Sequence, residues 1–368
     1  MPYPKFDRDS LYIKPLADRK NKIYIENDHI AVSRQPGFMP DGSIKVIEQT
    51  AEKIRGAIKS GSSVILAFGA HTIKNGMSPT LIDLIETGWV THLATNGAGI
   101  IHDWEFAFQG KSSEDVRENV KLGQFGIWEE TGFFINLALV VGAYEGLGYG
   151  ESVGKMIYNE GLYIPEISFL YDQCTRAMKT DPGIAAASLD LVATIKHFDI
   201  PPGFMEIPHP YRKYSIQSKA YELKVPFTGH PMIGHDIIYN HPANSGSAIG
   251  RAALNDFLVY TKGVCNLENG VYMSVGSAVM SPMIFEKALS MSQNIKIQSD
   301  SHIDNHYILV VDLARSEWDW SGDGEPPYDN PAYYLRYCKT FSRMGGEMQY
   351  LTADNRDFLL ALNQMLKE

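Results

Sequence analysis

Histidines with carboxylates beside them are the first residues in this chain whose type and spacing could do chemistry. His230, His235 and Asp236 share one short glycine-bearing stretch, with His209 and His241 to either side, and the pair His102-Asp103 follows a separate glycine cluster. An imidazole takes or gives a proton near neutral pH, and an adjacent carboxylate can fix its tautomer. His102, His230 and His235 are therefore candidate acid/base groups, with Asp103 and Asp236 as their orienting carboxylates. The same residues could instead be loop histidines that bond backbone carbonyls. His230 and His235 with Asp236 could also ligate zinc or iron, but a His-x4-His spacing in a glycine loop matches no standard site, so no metal is expected.

A second set of residues suits a phosphate-bearing ligand. Gly69-Ala70-His71-Thr72, Asn96-Gly97-Ala98-Gly99 and Gly276-Ser277-Ala278 each end an apolar run, as does Asp312. Glycine lets a backbone approach a ligand closely, and a helix start offers free N–H groups to a pyrophosphate. Lys74, just after the first cluster, could neutralise a phosphate, although a solvated lysine reads the same way. Gly97-Ala98-Gly99 lacks the full GxGxxG spacing, so the orthodox dinucleotide fingerprint is absent there. A nucleotide is the expected ligand, held by Gly69, Ala70, His71, Lys74, Asn96, Gly97, Ala98, Gly276, Ser277 and Asp312.

These residues need elements to position them, and the pattern supplies alternating helices and strands. Apolar residues recur at helical spacing over 44–60, 78–86, 244–262, 282–292 and 356–367. Between them stand short apolar runs at 62–68, 90–95, 224–228, 270–276 and 307–312, continuous rather than alternating, as strands covered on both faces must be. The expectation is an α/β fold with a doubly wound, mostly parallel sheet and helices on both faces. Ligands of such sheets bind beyond the carboxyl ends of the strands, which would gather the glycine clusters in one crevice. Residues 1–42 read as an N-terminal arm and 43–368 as one domain with a helical insertion at about 145–210.

Composition narrows the classes. The chain has 368 residues, 44% hydrophobic and 21% charged, which excludes disorder as its main character. With 33 Lys+Arg against 43 Asp+Glu the net charge is -10, and no basic run would neutralise a nucleic-acid backbone. Cys174, Cys265 and Cys338 are widely spaced, suggesting neither disulfides nor a zinc cage and fitting a cytoplasmic setting. No run reaches the roughly 18 apolar residues that span a bilayer, so no membrane partner is expected.

The stretches Val64–Gly76 and Leu81–Asp103 resemble the start of the deoxyhypusine synthase fold, where two strands end in a Thr-Ser-Asn loop and in a Thr-Thr-Ala-Gly-Gly turn with an acidic pair. Val225–Ile238 and Gly270–Ser281 resemble later loops of the same family. The resemblance implies a Rossmann-like domain that binds NAD, in a homo-oligomer, tetramer or dimer, with sites at subunit interfaces. It also implies that Asp312, or Asp319 or Asp323 in the tryptophan-bearing loop that follows, binds a ribose hydroxyl or a cationic group. The family's Ser-Trp-Gly-Lys motif is missing: 324–339 reads GEPPYDNPAYYLRYCK, so no lysine there would form the imine of deoxyhypusine synthesis. The expected acidic substrate-binding position falls on His102, and the family's His-His-Ile falls on Ser281-Pro282-Met283. The expectation is an NAD-dependent enzyme acting on a different small polar substrate. The alternatives are a non-catalytic nucleotide-binding oligomer and a metal-dependent lyase or hydrolase using His230 and His235.

Overall fold

Val64–Phe68 and Val271–Val275 are buried at every position, which a strand can be only where both faces of its sheet are covered. In the computed structural model, which describes residues 3–322 and 324–368, they lie near the centre of a wholly parallel six-stranded sheet. Its strands are β1 (Val64–Phe68), β2 (His92–Asn96), β3 (Phe227–His230), β4 (Val271–Val275), β5 (Tyr307–Asp312) and β6 (Glu347–Thr352). They are hydrogen-bonded in the order β6-β5-β4-β1-β2-β3. The chain thus builds outward from β1 to β3, returns to the centre, and builds outward again on the other side from β4 to β6. That is the doubly wound, Rossmann-like order, with its reversal between β1 and β4.

Alternation of side chains decides what covers each face. Ile65, Ala67, Ala94, Tyr272, Ile308 and Val310 form one core with Tyr260 and Val264 of the helix Gly246–Val264 and with Phe285, Ala288 and Leu289 of the helix Met280–Ile297. On the opposite face the helix Asp41–Ser60 buries Ile47, Ala51, Ile54 and Ala57, a stripe at helical spacing, and meets β1, β4 and β6. The helix Asn355–Lys367 packs beside it and against β5.

The chain divides into two compact units. The sheet unit comprises Asp28–Gly99, Lys219–His230 and Phe257–Glu368; the helical unit comprises Met1–Asn27, Ile100–Ser218 and Pro231–Asp256. The helical residues at about 145–210 belong to the helical unit. So do residues 3–27 of the N-terminal arm: Ile23–Tyr24 pairs antiparallel with Lys111–Ser112, and Arg19 makes a buried two-pronged ion pair with Glu105, both contacts 2.7 Å. Residues 28–42 go with the sheet unit. Apolar spacing marks which residues are buried, but not which of two cores receives them.

Within the helical unit, Glu129–Glu145 is apolar on nearly every side and buried from Thr131 to Ala143 save Phe133 and Phe134. It packs against Pro182–His197 and Tyr149–Asn159. Among the described residues no single helix is long and apolar enough to cross a membrane.

Candidate functional site

The carboxyl ends of β1 and β4 meet at the reversal of strand order. Gly69, the residue after β1, donates its N–H to Val275 O (3.1 Å), and Gly276, the residue after β4, donates to Val311 O (2.9 Å). A Cβ built on Gly69 would stand 2.1 Å from Gly276 O, so the approach of the two turns requires glycine at 69. Gly276 has φ +56, a left-handed conformation that glycine adopts freely, and the space where its Cβ would project is open. Beside them Thr95 donates to Phe68 O (2.9 Å), tying the end of β2 to that of β1.

The turn after β4 carries a spacing that inspection of Gly97-Ala98-Gly99 overlooks. Gly276-Ser277-Ala278-Val279-Met280-Ser281 places small residues at the three positions of GxGxxG, between a strand and a helix of 18 residues. The third of those positions serves close packing of helix on strand. Ser281 does so here: its hydroxyl is 2.5 Å from that of Ser274 in β4, and its N–H reaches Ser277 Oγ at 3.2 Å. The next strand, β5, ends in Asp312, half-buried, whose Oδ1 accepts the N–H of Ala314 (3.0 Å). Strand, small-residue turn, helix, strand and terminal aspartate follow one another as in a dinucleotide-binding half. The signal was legible once alanine and serine are admitted where glycine is usual.

The other residues expected at this edge divide by role. Asn96 ends β2, and its Oδ1 accepts the Gly99 N–H (3.0 Å), so it closes the start of the helix Gly97–Gln109. Gly97 and Ala98 are that helix's first residues, not a turn. His71 is exposed and Lys74 half-buried on the short helix Ala70–Lys74, next to Gly69. Partial burial, and then the charge of Lys74, hold the His71 ring below its ordinary pKa. In the loop after β5, Asp319 folds back on Ser321, accepting from its N–H (2.9 Å) and hydroxyl (2.5 Å); Asp323 lies outside the described residues.

The histidines are less uniform than their sequence context suggests. His230 ends β3, paired in register with Asn96, and is 7% exposed. Its Nε2 lies 3.0 Å from Thr228 Oγ1. Burial, reinforced by neighbouring His92, lowers its pKa to about 3. His102 is not in a loop: it lies inside the helix Gly97–Gln109, in the helical unit, with Nδ1 2.7 Å from Ser112 Oγ. Its sequence neighbour Asp103 turns elsewhere. Fully buried, Asp103 accepts from the Ser215 hydroxyl (2.6 Å), the N–H groups of Ile216 (3.1 Å) and Gln217 (3.2 Å), and Gln217 Nε2 (2.9 Å). It thereby caps the helix Ile216–Leu223. Burial still raises its pKa above the ordinary carboxylate value.

His235 is exposed on the loop Met232–His235 of the helical unit, one residue past Gly234 with φ +84. Asp236 follows it, and its charge helps push Tyr239 up to about 12, burial being the larger cause. His209 is buried against the edges of Trp104 and Phe108. His241 packs on Phe133 and Phe198, 3.5 Å from Glu129. Among the described residues no group of three or more His, Cys, Asp or Glu side chains is placed to hold a metal ion.

No family model matches this sequence, and no curated protein matches it. Solved structures do resemble it at low identity. ArgZ, an arginine dihydrolase from the ornithine-ammonia cycle in cyanobacteria, aligns at TM-score 0.43 and 13% identity over 88% of this chain and 32% of its own. AgrE in a ternary complex with ornithine and NAD+ aligns at TM-score 0.42 and 14% identity, over 91% and 34%. A conserved putative LOR/SDH protein from Methanococcus maripaludis S2 aligns at TM-score 0.42 and 12% identity, over 93% and 72%. The chain thus spans about a third of the length of the first two. Its fold is defined by its own strand order, an all-parallel doubly wound sheet whose reversal point falls between Gly69 and Gly276.

Proposed function

We propose that this chain binds NAD at the carboxyl edge of the sheet unit and uses it in an enzymatic reaction on a small polar substrate. The observation that carries the reading is the meeting of the Gly69 and Gly276 turns at the strand-order reversal, the position where doubly wound sheets take dinucleotides. The open space beside Gly276 suits a pyrophosphate, which the N–H groups of the following turn would hold. Asp312, with Oδ1 committed to Ala314, keeps Oδ2 for a ribose hydroxyl. His71 and Lys74 beside Gly69, with Asn96, Gly97 and Ala98 after β2, border the other side of the reversal.

NAD bound there would supply a hydride acceptor or donor, and this chain's residues would manage the accompanying proton. His230, standing beside Asn96 at the same sheet edge, is the acid/base candidate of the sheet unit by position; its pKa of about 3 keeps the ring neutral at physiological pH, so it can pass a proton on only as it takes another up. Exposed His235 with half-buried Asp236 is the candidate pair of the helical unit, and half-buried His102 is its alternative. Asp103 has its carboxylate engaged by the helix it caps, which favours a structural role. Kinship with the deoxyhypusine synthase fold, and assembly into a homo-oligomer, belong to the same proposal and rest on the quoted sequence stretches.

Calorimetric titration tests it. NAD should saturate the wild-type protein, and Gly276→Val should weaken binding at least tenfold while leaving the circular dichroism spectrum unchanged. Absence of binding by any adenine dinucleotide would overturn the reading in favour of another ligand at the same edge.

A further inference from the structure

A line of polar side chains crosses the sheet unit beneath its surface. His92 opens β2, Thr228 lies in β3, and His230 closes β3. The register pairs Ala94 with Thr228 and Asn96 with His230, so all these side chains stand on one face of the sheet, under the helix Gly246–Val264. His92 Nε2 is 3.1 Å and His230 Nε2 3.0 Å from the same Thr228 Oγ1. Tyr260 of the covering helix sets its ring edge-on to both imidazoles, at 5.7 and 5.1 Å between centroids. All three polar residues are buried: His92 is 3%, Thr228 1% and His230 7% exposed.

The two ends of this line reach different surroundings. His230 is at the carboxyl edge, the proposed reaction side. His92 is at the amino edge, in the wall of a cavity of about 560 Å³ that Gly263, Lys262 and Thr91 also line. A Cβ on Gly263 would come within 2.9 Å of His92 Nδ1, so the glycine leaves that nitrogen its room beside the cavity. A space of this size holds many waters, each of which needs only some 10–15 Å³ for its centre.

We propose that His92, Thr228 and His230 form a proton relay along this face of the sheet, from the carboxyl edge to the cavity at the amino edge. Before transfer, His230 carries its proton on Nε2 and donates it to Thr228 Oγ1, while the Thr228 hydroxyl donates to the bare Nε2 of His92, whose own proton is on Nδ1. When His230 Nδ1 takes a proton at the carboxyl edge, its Nε2 proton passes to Thr228 Oγ1, the hydroxyl proton passes to His92 Nε2, and His92 Nδ1 releases its proton to water in the cavity. One proton enters and one leaves, no net charge remains, and both rings end in the opposite tautomer. The reverse sequence restores the starting state. Both rings are held near pKa 3 by burial, so at pH 7 a charged imidazolium is disfavoured about ten-thousandfold, which favours a concerted shift over a stored proton. The relay's use in turnover rests on the proposed function, but its hydrogen-bond geometry does not.

The relay requires the two rings to hold opposite tautomers. The competing arrangement is static: both Nε2–H groups donate to Thr228, whose hydroxyl donates to Leu93 O at 3.4 Å, and both rings have the same tautomer. Long-range nitrogen-proton spectra of the full chain labelled with 15N-histidine distinguish these without cofactor or substrate. Opposite tautomers in the wild type, kept in Thr228→Ser and lost in Thr228→Val with unchanged circular dichroism, are the expected result. Matching Nε2–H tautomers in the wild type, or opposite tautomers that survive in Thr228→Val, would overturn the relay. Because NAD is absent from the experiment, failure of NAD binding and failure of the relay are read separately.

Discussion

Gly69 and Gly276 belong to opposite halves of the doubly wound sheet, and the carbonyl of the second occupies the space where a side chain on the first would begin, 2.1 Å from the Cβ position. The two glycines are needed for different reasons, and the difference is measurable. Gly69→Ala must push backbone aside and should cost about 1–3 kcal/mol or more, the usual penalty of overpacking. Gly276→Ala has room for its methyl and pays only for a left-handed backbone, about 1–2 kcal/mol. Urea denaturation should therefore rank Gly69→Ala as the less stable variant; equal stability would show that the turns can separate.

Asp312 should set the cofactor preference. A carboxylate that receives ribose hydroxyls repels a 2′-phosphate, so NAD should bind more tightly than NADP. Asp312→Asn should weaken NAD about tenfold, the ~1.5 kcal/mol of one hydrogen bond to a charged group, and narrow the gap to NADP. Competition titrations of the two cofactors check both effects.

The buried imidazoles make the sheet unit acid-sensitive. His92 and His230 have folded pKa values of about 3, below the 6.5 of an unfolded histidine. As pH falls through 6.5 the unfolded chain takes up protons that the folded chain refuses. Their contribution is thus complete above pH 6.5 and is lost on acidification, by about 2 kcal/mol per ring at pH 5. The urea midpoint should fall between pH 7 and pH 5, and less steeply in His92→Gln/His230→Gln than in the wild type.

Arg19 and Glu105 are 2% and 1% exposed at their side chains, and Ser112 and Thr131 also donate to the carboxylate. Arg19→Met would leave that carboxylate buried with its hydrogen bonds but without its countercharge. A loss of about 3–5 kcal/mol is expected for the helical unit, together with faster proteolysis of residues 3–27. Glu105→Gln/Arg19→Met should recover part of the loss, since it removes both charges.

Asp103 and His102 are adjacent in sequence but should separate in experiment. Asp103→Ala removes a helix cap and leaves buried donors unpaired, an expected loss of about 2–4 kcal/mol in folding stability. His102→Gln should leave stability within about 1 kcal/mol of wild type. Thermal denaturation of the two variants decides it.

The sequence by itself marked five of the six strands of the sheet unit. Continuous apolar runs such as VILAF and YILVVD read as buried parallel strands because they are short, rich in β-branched residues, punctuated by glycine and separated by amphipathic helices, and Tyr307–Asp312 is delimited correctly from its residues alone. β6, Glu347–Thr352, carries no such signal: Glu347, Gln349 and Tyr350 are only half-buried at the sheet's edge, so its pattern is diluted. Only tertiary structure decided the strand order, because pairing joins residues far apart in the chain and local pattern carries no information about partners. That order makes the Gly69 and Gly276 turns neighbours. It also places His102 and Asp103 inside a helix and not beside an open glycine turn, since helix Gly97–Gln109 begins directly at Gly97, where Asn96 caps it and Gly99 fits under Thr95. Glycine in sequence permits a turn, but packing against its neighbours determines whether one forms.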